Sequence, residues 1–248
     1  MRLTVIGCAG SFPGPDSPAS CYLLEHEGFR LVLDLGNGAL GALQQHVALT
    51  DIDAIALSHL HADHCLDMCG LYVAQRYHPD GPRPRIPVWG PRGTAQRLAR
   101  AYDLAEEPGM TREFDFHDLV EGEHTIGPFT VTAARVNHPV EAYGFRVSVD
   151  GHTIAYSGDT AETPALIELA RDVDVALFEA SCVDAQPAPG VHLTARQAAE
   201  HAQAAGARLL VLTHLVAWND REATLAEARP AFDGEIMLAS SGLVIDLA

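Results

Sequence analysis

The chain has 248 residues, 48% of them hydrophobic and 20% charged, enough to bury a full core as one domain spanning residues 1–248. Its formal charge is −17 and its 16 basic residues are all arginine; the absence of lysine excludes a lysine-dependent phosphate loop, a Schiff-base lysine and a lysine-rich nucleic-acid patch. The acidic field repels polyanions, so no long nucleic acid is expected as a partner, although local cations can still hold a small anion.

Residues 3–8 read as a strand with no basic leader, and no apolar run reaches about 18 residues, so a soluble, cytoplasmic chain with no membrane partner is expected. Residues 21–26 and 30–35 continue as strands of a meander turning at Gly28. A helix is expected over 40–47, a short buried strand over 54–58, and a helix over 65–77 that stops before Pro79. The Pro-, Gly- and Arg-rich stretch 80–85 is a surface loop, followed by a strand at 87–90 and a helix at 94–104. In the second half 129–136 is a strand, and the strands 143–149 and 152–157 flank Asp150-Gly151, the pair a two-residue hairpin needs because both turn positions require positive φ. A helix at 166–171, a strand at 175–179, a helix at 194–205 ending at Gly206, a strand at 209–213 and a closing strand at 243–247 complete the set. Strands early in each half, with helices between and after, predict an α/β chain in which two sheets lie between helices. Five cysteines (Cys8, Cys21, Cys65, Cys69, Cys182) are odd in number and scattered, so they are expected to be reduced.

The segment His59-Leu-His61-Ala-Asp63-His64 puts four ligand-type side chains where the strand 54–58 gives way to a helix, so they can converge on one point. Imidazole and carboxylate together suit Zn²⁺, and also Mn²⁺ or Fe²⁺. His138, Asp159 and His214 each follow a strand, at the C-terminal end where open sheets with connecting helices place their sites.

With Leu31-Val32-Leu33-Asp34-Leu35-Gly36, Asn137-His138, Ser157-Gly158-Asp159-Thr160 and Leu212-Thr213-His214, this motif resembles the metallo-β-lactamase superfamily over essentially the whole chain. The resemblance implies a four-layer αββα sandwich and two divalent metal ions, zinc before manganese or iron. It implies that His59, His61 and His138 hold one ion, that Asp63, His64 and His214 hold the second, and that Asp159 bridges them. Asp34 is implied to support the ligand loop from outside; a carboxylate capping the turn before Gly36 is the plainer alternative. Two ions sharing a water supply hydroxide at neutral pH, so hydrolysis is the implied chemistry.

Within the superfamily, Phe178-Glu179-Ala180-Ser181 and His192-Leu193-Thr194-Ala195 resemble the ribonuclease Z branch. That resemblance implies that Glu179 orients His192 and that His192 protonates the leaving alkoxide of a phosphodiester, while Asp63 can take the proton of the attacking water. Taken alone, His192 reads equally as a residue near a helix start. Ribonuclease Z enzymes typically insert a long basic arm between the equivalents of His138 and Asp159, whereas here residues 139–158 leave 20 positions, all used by the hairpin. A small anionic phosphodiester is therefore the expected substrate partner.

The loop Gly10-Ser11 with Gly14-Pro15-Asp16-Ser17-Pro18-Ala19-Ser20, followed by Tyr22-Leu23-Leu24, resembles an actinobacterial group of atypical cyclic-AMP phosphodiesterases, as does Arg76-Tyr77-His78-Pro79. This implies a 3′,5′-cyclic nucleotide opened to the monophosphate. Ser17 and Ser20 are candidates to touch the phosphate or base, against a role as turn formers, and Trp218 is a candidate to stack on a base. Other substrates stay open, including RNA ends and other small cyclic phosphodiesters, as does a non-catalytic protein that binds metal or nucleotide without turnover. A homodimer is usual for the resembling branch and is carried as an expectation.

Overall fold

The structure is a computed structural model and describes residues 1–247. β1 (Arg2–Gly7), β2 (Cys21–His26) and β3 (Phe29–Leu33) form an antiparallel meander. The chain then runs through α1 (Ala39–Leu43), β4 (Ala54–Ala56), α2 (Ala62–Cys65), α3 (Met68–Arg76), β5 (Ile86–Gly90), α4 (Thr94–Ala101) and β6 (Phe114–Asp118). The second half holds β7 (Gly122–Ile126), β8 (Phe129–Arg135), β9 (Tyr143–Val149), β10 (His152–Tyr156), α5 (Pro164–Leu169), β11 (Val175–Glu179), α6 (Ala195–Ala205), β12 (Leu209–Thr213), α7 (Arg221–Ala228) and β13 (Glu235–Leu238). β14 (Val244–Asp246) returns to pair with β1.

These strands make two seven-stranded sheets, ordered β14-β1-β2-β3-β4-β5-β6 and β13-β12-β11-β10-β9-β8-β7. Alternation along each strand decides which layer a side chain joins. In β2, Tyr22 and Leu24 enter the core between the sheets, with Phe129, Phe145, Tyr156 and Val211 of the opposite sheet. Cys21 and Leu23 point the other way, against Leu43 of α1 and Met68 and Leu71 of α3. On the far side, Phe178 and Leu212 pack against α5 and α6 through Leu166, Ala198 and Ala202. Both faces of each sheet are covered, which is why the central strands read as continuous apolar runs. The result is the four-layer αββα sandwich.

Strand direction then places the site. β3 and β4 are parallel, so Asp34 and His59 leave one edge of their sheet together. β8 and β10 are both antiparallel to β9, and β10, β11 and β12 are mutually parallel, so the chain leaves all four at one edge toward His138, Asp159, Ala180 and His214. The hairpin turns at Asp150 (φ 50°) and Gly151 (φ 81°), as its sequence predicts.

The expected helix over 65–77 is observed as α3, and a separate short helix, α2, that was not expected precedes it. The break between them has a partner: Leu35 donates its N–H to His64 O at 2.8 Å and accepts from Asp67 N–H at 3.1 Å, so the chain after β3 pins the segment between the two helices. β6, β7, α7 and β13 lie where no periodicity predicts an element. β6 and β7 carry charged or polar residues at most positions and only part of each is buried, which removes the apolar alternation that reveals a strand. No described helix is long and apolar enough to cross a membrane.

Gly36 sits where this pinned segment passes: a Cβ there would lie 1.9 Å from the carbonyl oxygen of Asp63. Gly36→Ala is expected to lower the denaturant midpoint by an amount equivalent to about 1–3 kcal/mol. Gly41→Ala, in α1 with open space around the new Cβ, is expected to be neutral or slightly stabilising in the same denaturation measurement.

Candidate metal centre

The ligand-type side chains form groups in which the donor atoms lie within 4.8 Å of one another: His59, His61, His138 and Asp159 in one, and Asp63, His64, Asp159 and His214 in a second. Asp159 belongs to both. Asp34 and His214 adopt left-handed backbone, with φ of 57° and 53°, so the chain turns sharply off β3 and β12 to aim these side chains.

The outward nitrogen of each of four histidines is taken, which fixes the ring and its tautomer. His138 Nδ1 donates to Val191 O at 3.0 Å. His64 Nδ1 donates to Asp34 Oδ2 at 2.8 Å. The Ser58 hydroxyl donates to Asp34 Oδ2 at 2.7 Å, so it accepts from His59 Nδ1 at 3.1 Å. The Ser181 hydroxyl donates to Glu179 Oε2 at 2.8 Å and accepts from His214 Nδ1 at 2.5 Å. Each Nε2 is thereby left to face inward as an acceptor; that of His214 lies 3.3 Å from the Ser11 N–H.

These nitrogens crowd one another. His64 Nε2 lies 3.3 Å from His214 Nε2, and His59 Nε2 lies 3.1 Å from His61 Nδ1. Asp159 Oδ1 is buried and has no hydrogen-bond donor among the described residues, although it lies 3.1 Å from His64 Nε2 and 3.4 Å from His214 Nε2. A buried carboxylate oxygen without a donor, ringed by nitrogen lone pairs, fits divalent cations and little else.

Protonation follows the same logic. Burial, reinforced by His64, lowers the pKa of His59, and burial lowers that of His138, keeping both neutral as ligands must be. Burial works to raise Asp159 and Asp63, but their histidine neighbours outweigh it and hold both carboxyls below the ordinary range. Burial likewise works to lower His64, yet the carboxylates of Asp159 and Asp34 raise it well above its usual value. The pull those carboxylates exert on a proton is one a cation can answer in its place.

Beside these groups stands a third, Glu179, His192 and His214. Glu179 is fully buried; its Oε1 accepts from Thr160 N–H at 2.8 Å and from His192 Nδ1 at 2.9 Å. Burial alone would lower the His192 pKa, but the Glu179 hydrogen bond and the charges of Glu179, Asp159 and Asp63 push it up to about 9. The imidazolium is therefore the form at neutral pH.

Other predicted residues fall elsewhere. The Ser17 hydroxyl accepts from Cys8 N–H and donates to Pro18 O, both at 2.9 Å, which spends it on the turn. Ser20 corrects the sequence expectation: it is fully buried between the first strands and the ligand loop and has no surface to offer a substrate. Trp218 is exposed and lies against Phe12, outside the ligand groups. Asp34, fully buried, accepts from Ser58 N–H, the Ser58 hydroxyl, His64 and the Tyr156 hydroxyl, so it braces the ligands from below. Sequence reasoning missed Ser58, Tyr156 and Ser181 in these bracing roles. Ser58 beside His59, and Ser181 two residues past Glu179, carried a local signal; Tyr156, 122 positions from Asp34, carried none.

A sequence model described as "Beta-lactamase superfamily domain" matches residues 30–215. The chain is 44% identical to the Mycobacterium tuberculosis protein Rv1339, across 95% of this chain and 88% of that one. It is 30% identical to the probable metallo-hydrolase YhfI of Bacillus subtilis, across 98% and 99% of the two chains, and the YhfI crystal structure superposes with a TM-score of 0.90 over 99% of each chain. It is also 30% identical to the ribonuclease Z of Nocardia farcinica, across 96% and 95%.

Asp34→Ala leaves four buried donor groups unpaired and frees the rings of His59 and His64. Divalent-ion affinity, measured by competition with a chromophoric chelator, is expected to fall about 10–100-fold. The denaturant midpoint of the metal-free protein is expected to fall as well.

Proposed function

The chain belongs to the β-lactamase superfamily, in its ribonuclease Z-like branch, and is a metal-dependent hydrolase; we propose that it holds two divalent ions, zinc before manganese or iron, and opens small 3′,5′-cyclic nucleotides such as cyclic AMP to the monophosphate. The observation that carries this reading is the buried Glu179 paired with His192 beside the two ligand groups. A thiolate leaving a thioester needs no proton donor; an alkoxide leaving phosphorus does.

Two divalent ions held through Asp159 would supply hydroxide at neutral pH and offset charge on the phosphoryl oxygens. The protein's own groups do the rest. Glu179 fixes the His192 ring through Nδ1, which leaves Nε2 to carry the proton that the departing oxygen takes. Asp63, held ionised, accepts the proton lost by the attacking water. The Thr160 N–H holds the same Glu179 oxygen that His192 uses, so the carboxylate cannot turn away.

Substrate size follows from the hairpin. The hairpin of β9 and β10 takes up 14 of the 20 residues between His138 and Asp159, 143–156, and leaves only short connections, so no arm for a long nucleic acid emerges there. With a formal charge of −17, the protein's field also disfavours a polyanion. Both features support a small diester over transfer RNA. The 44% identity to an actinobacterial relative is consistent with the sequence resemblance that brought cyclic AMP forward.

The test is a comparison of cyclic AMP, bis(p-nitrophenyl) phosphate and a precursor transfer RNA as substrates of metal-loaded protein. Cyclic AMP is expected to yield AMP, and His192→Ala is expected to lower kcat about 10²–10⁴-fold at unchanged metal content. Preferred cleavage of the transfer RNA would replace the substrate assignment, and bound metal with no turnover of any diester would favour a binding protein.

A further inference from the structure

Two loops meet over His214. The chain after β1 and the chain after β12 are tied by hydrogen bonds from Leu215 N–H to Cys8 O at 2.8 Å and from Gly10 N–H to Leu215 O at 3.1 Å. Their approach leaves no room for a side chain at Gly10, where a Cβ would lie 2.5 Å from His214 O. Ser11 turns with φ 63°, and this brings its N–H to 3.3 Å from His214 Nε2, the nitrogen that also faces Asp63 and Asp159. The first loop therefore passes beside the inward-facing nitrogen of His214, and the next residue along it is Phe12.

The Phe12 ring lies 4.9 Å from the indole of Trp218, tilted by 42°. Trp218 itself is 75% exposed, the most exposed of the large hydrophobic side chains among the described residues. An indole left in water on a loop contributes little to the core, and a half-buried phenyl behind it restricts its rotamers. The arrangement is a flat apolar face backed by the Phe12 ring, which follows the residue whose N–H lies 3.3 Å from His214 Nε2.

We propose that Phe12 and Trp218 form the platform on which the base of a nucleotide substrate stacks, so that the pair sets preference for nucleotides over other phosphodiesters. The proposal rests on the phosphodiesterase reading for its substrate class. The phosphate of a nucleotide is drawn to a cationic centre, and the base is its one large apolar surface; an aromatic face on the loop that passes His214 gives that surface somewhere to leave water. Stacking accepts any base through its π-face, with purines overlapping the indole more than pyrimidines. Phe12 is a positioning residue, acting through Trp218.

The test compares AMP with ribose 5-phosphate, the same phosphate and sugar without the base, by titration calorimetry on the metal-loaded protein. Wild type is expected to bind AMP at least ten-fold more tightly than ribose 5-phosphate. In Trp218→Ala the difference is expected to collapse, in Phe12→Ala to shrink, and in Trp218→Tyr to recover in part. With cyclic AMP as substrate, Trp218→Ala is expected to raise KM about ten- to a hundred-fold and to change kcat less than KM. Wild type that binds the two ligands equally, or a preference that survives Trp218→Ala, overturns the platform. If wild type leaves cyclic AMP intact, the phosphodiesterase assignment fails, and the AMP comparison still decides the platform.

Discussion

The structure depends on one electrostatic constraint, the burial of Asp159 among the imidazole nitrogens of His59, His64 and His214. Its Oδ1 has no hydrogen-bond partner among the described residues, while His64 Nε2 and His214 Nε2 stand within 3.4 Å of it. Taking such a group out of water is costly unless positive charge meets it. Almost every polar feature around it serves to keep those nitrogens in place. The Asp34 carboxylate, the Ser58 and Ser181 hydroxyls and the Val191 carbonyl each occupy the far side of a ring, directly or through one intermediary.

This bracing links the two sheets. Asp34 leaves β3 in the first sheet, yet it receives the hydroxyl of Tyr156 from β10 in the second, across the core that Tyr22 and Phe145 fill. Glu179, at the end of β11, holds His192 with one oxygen and, through Ser181, His214 with the other. A single buried carboxylate thus orients both a ring of the candidate ligand cluster and the proposed proton donor. Sandwich packing and site geometry are one arrangement, since sliding one sheet past the other would separate Tyr156 from Asp34 and the His59 loop from Asp159.

Legibility in the sequence followed the range of the interaction. The His59 to His64 segment announced itself because its donors cluster within one strand-to-helix junction, and the hairpin because Asp150-Gly151 supplies its turn locally. The central strands were readable from their apolar runs. What stayed hidden was decided by distant chain: the break between α2 and α3 is made by Leu35, and the brace on Asp34 by a tyrosine from the other sheet. β6 and β7 escaped because their mixed, partly exposed faces lack alternation. Ser20 looked like a loop hydroxyl open to substrate, but the chain folds it beneath Gly36, where its N–H partner closes over it.

The most direct test of the central claim is the number and position of ions bound by the native protein, read by anomalous X-ray scattering from crystals grown with zinc. The account predicts two ions per chain, one among His59, His61 and His138 and one among Asp63, His64 and His214, both touching Asp159. A single ion, or an Asp159 carboxylate that contacts neither, would contradict it.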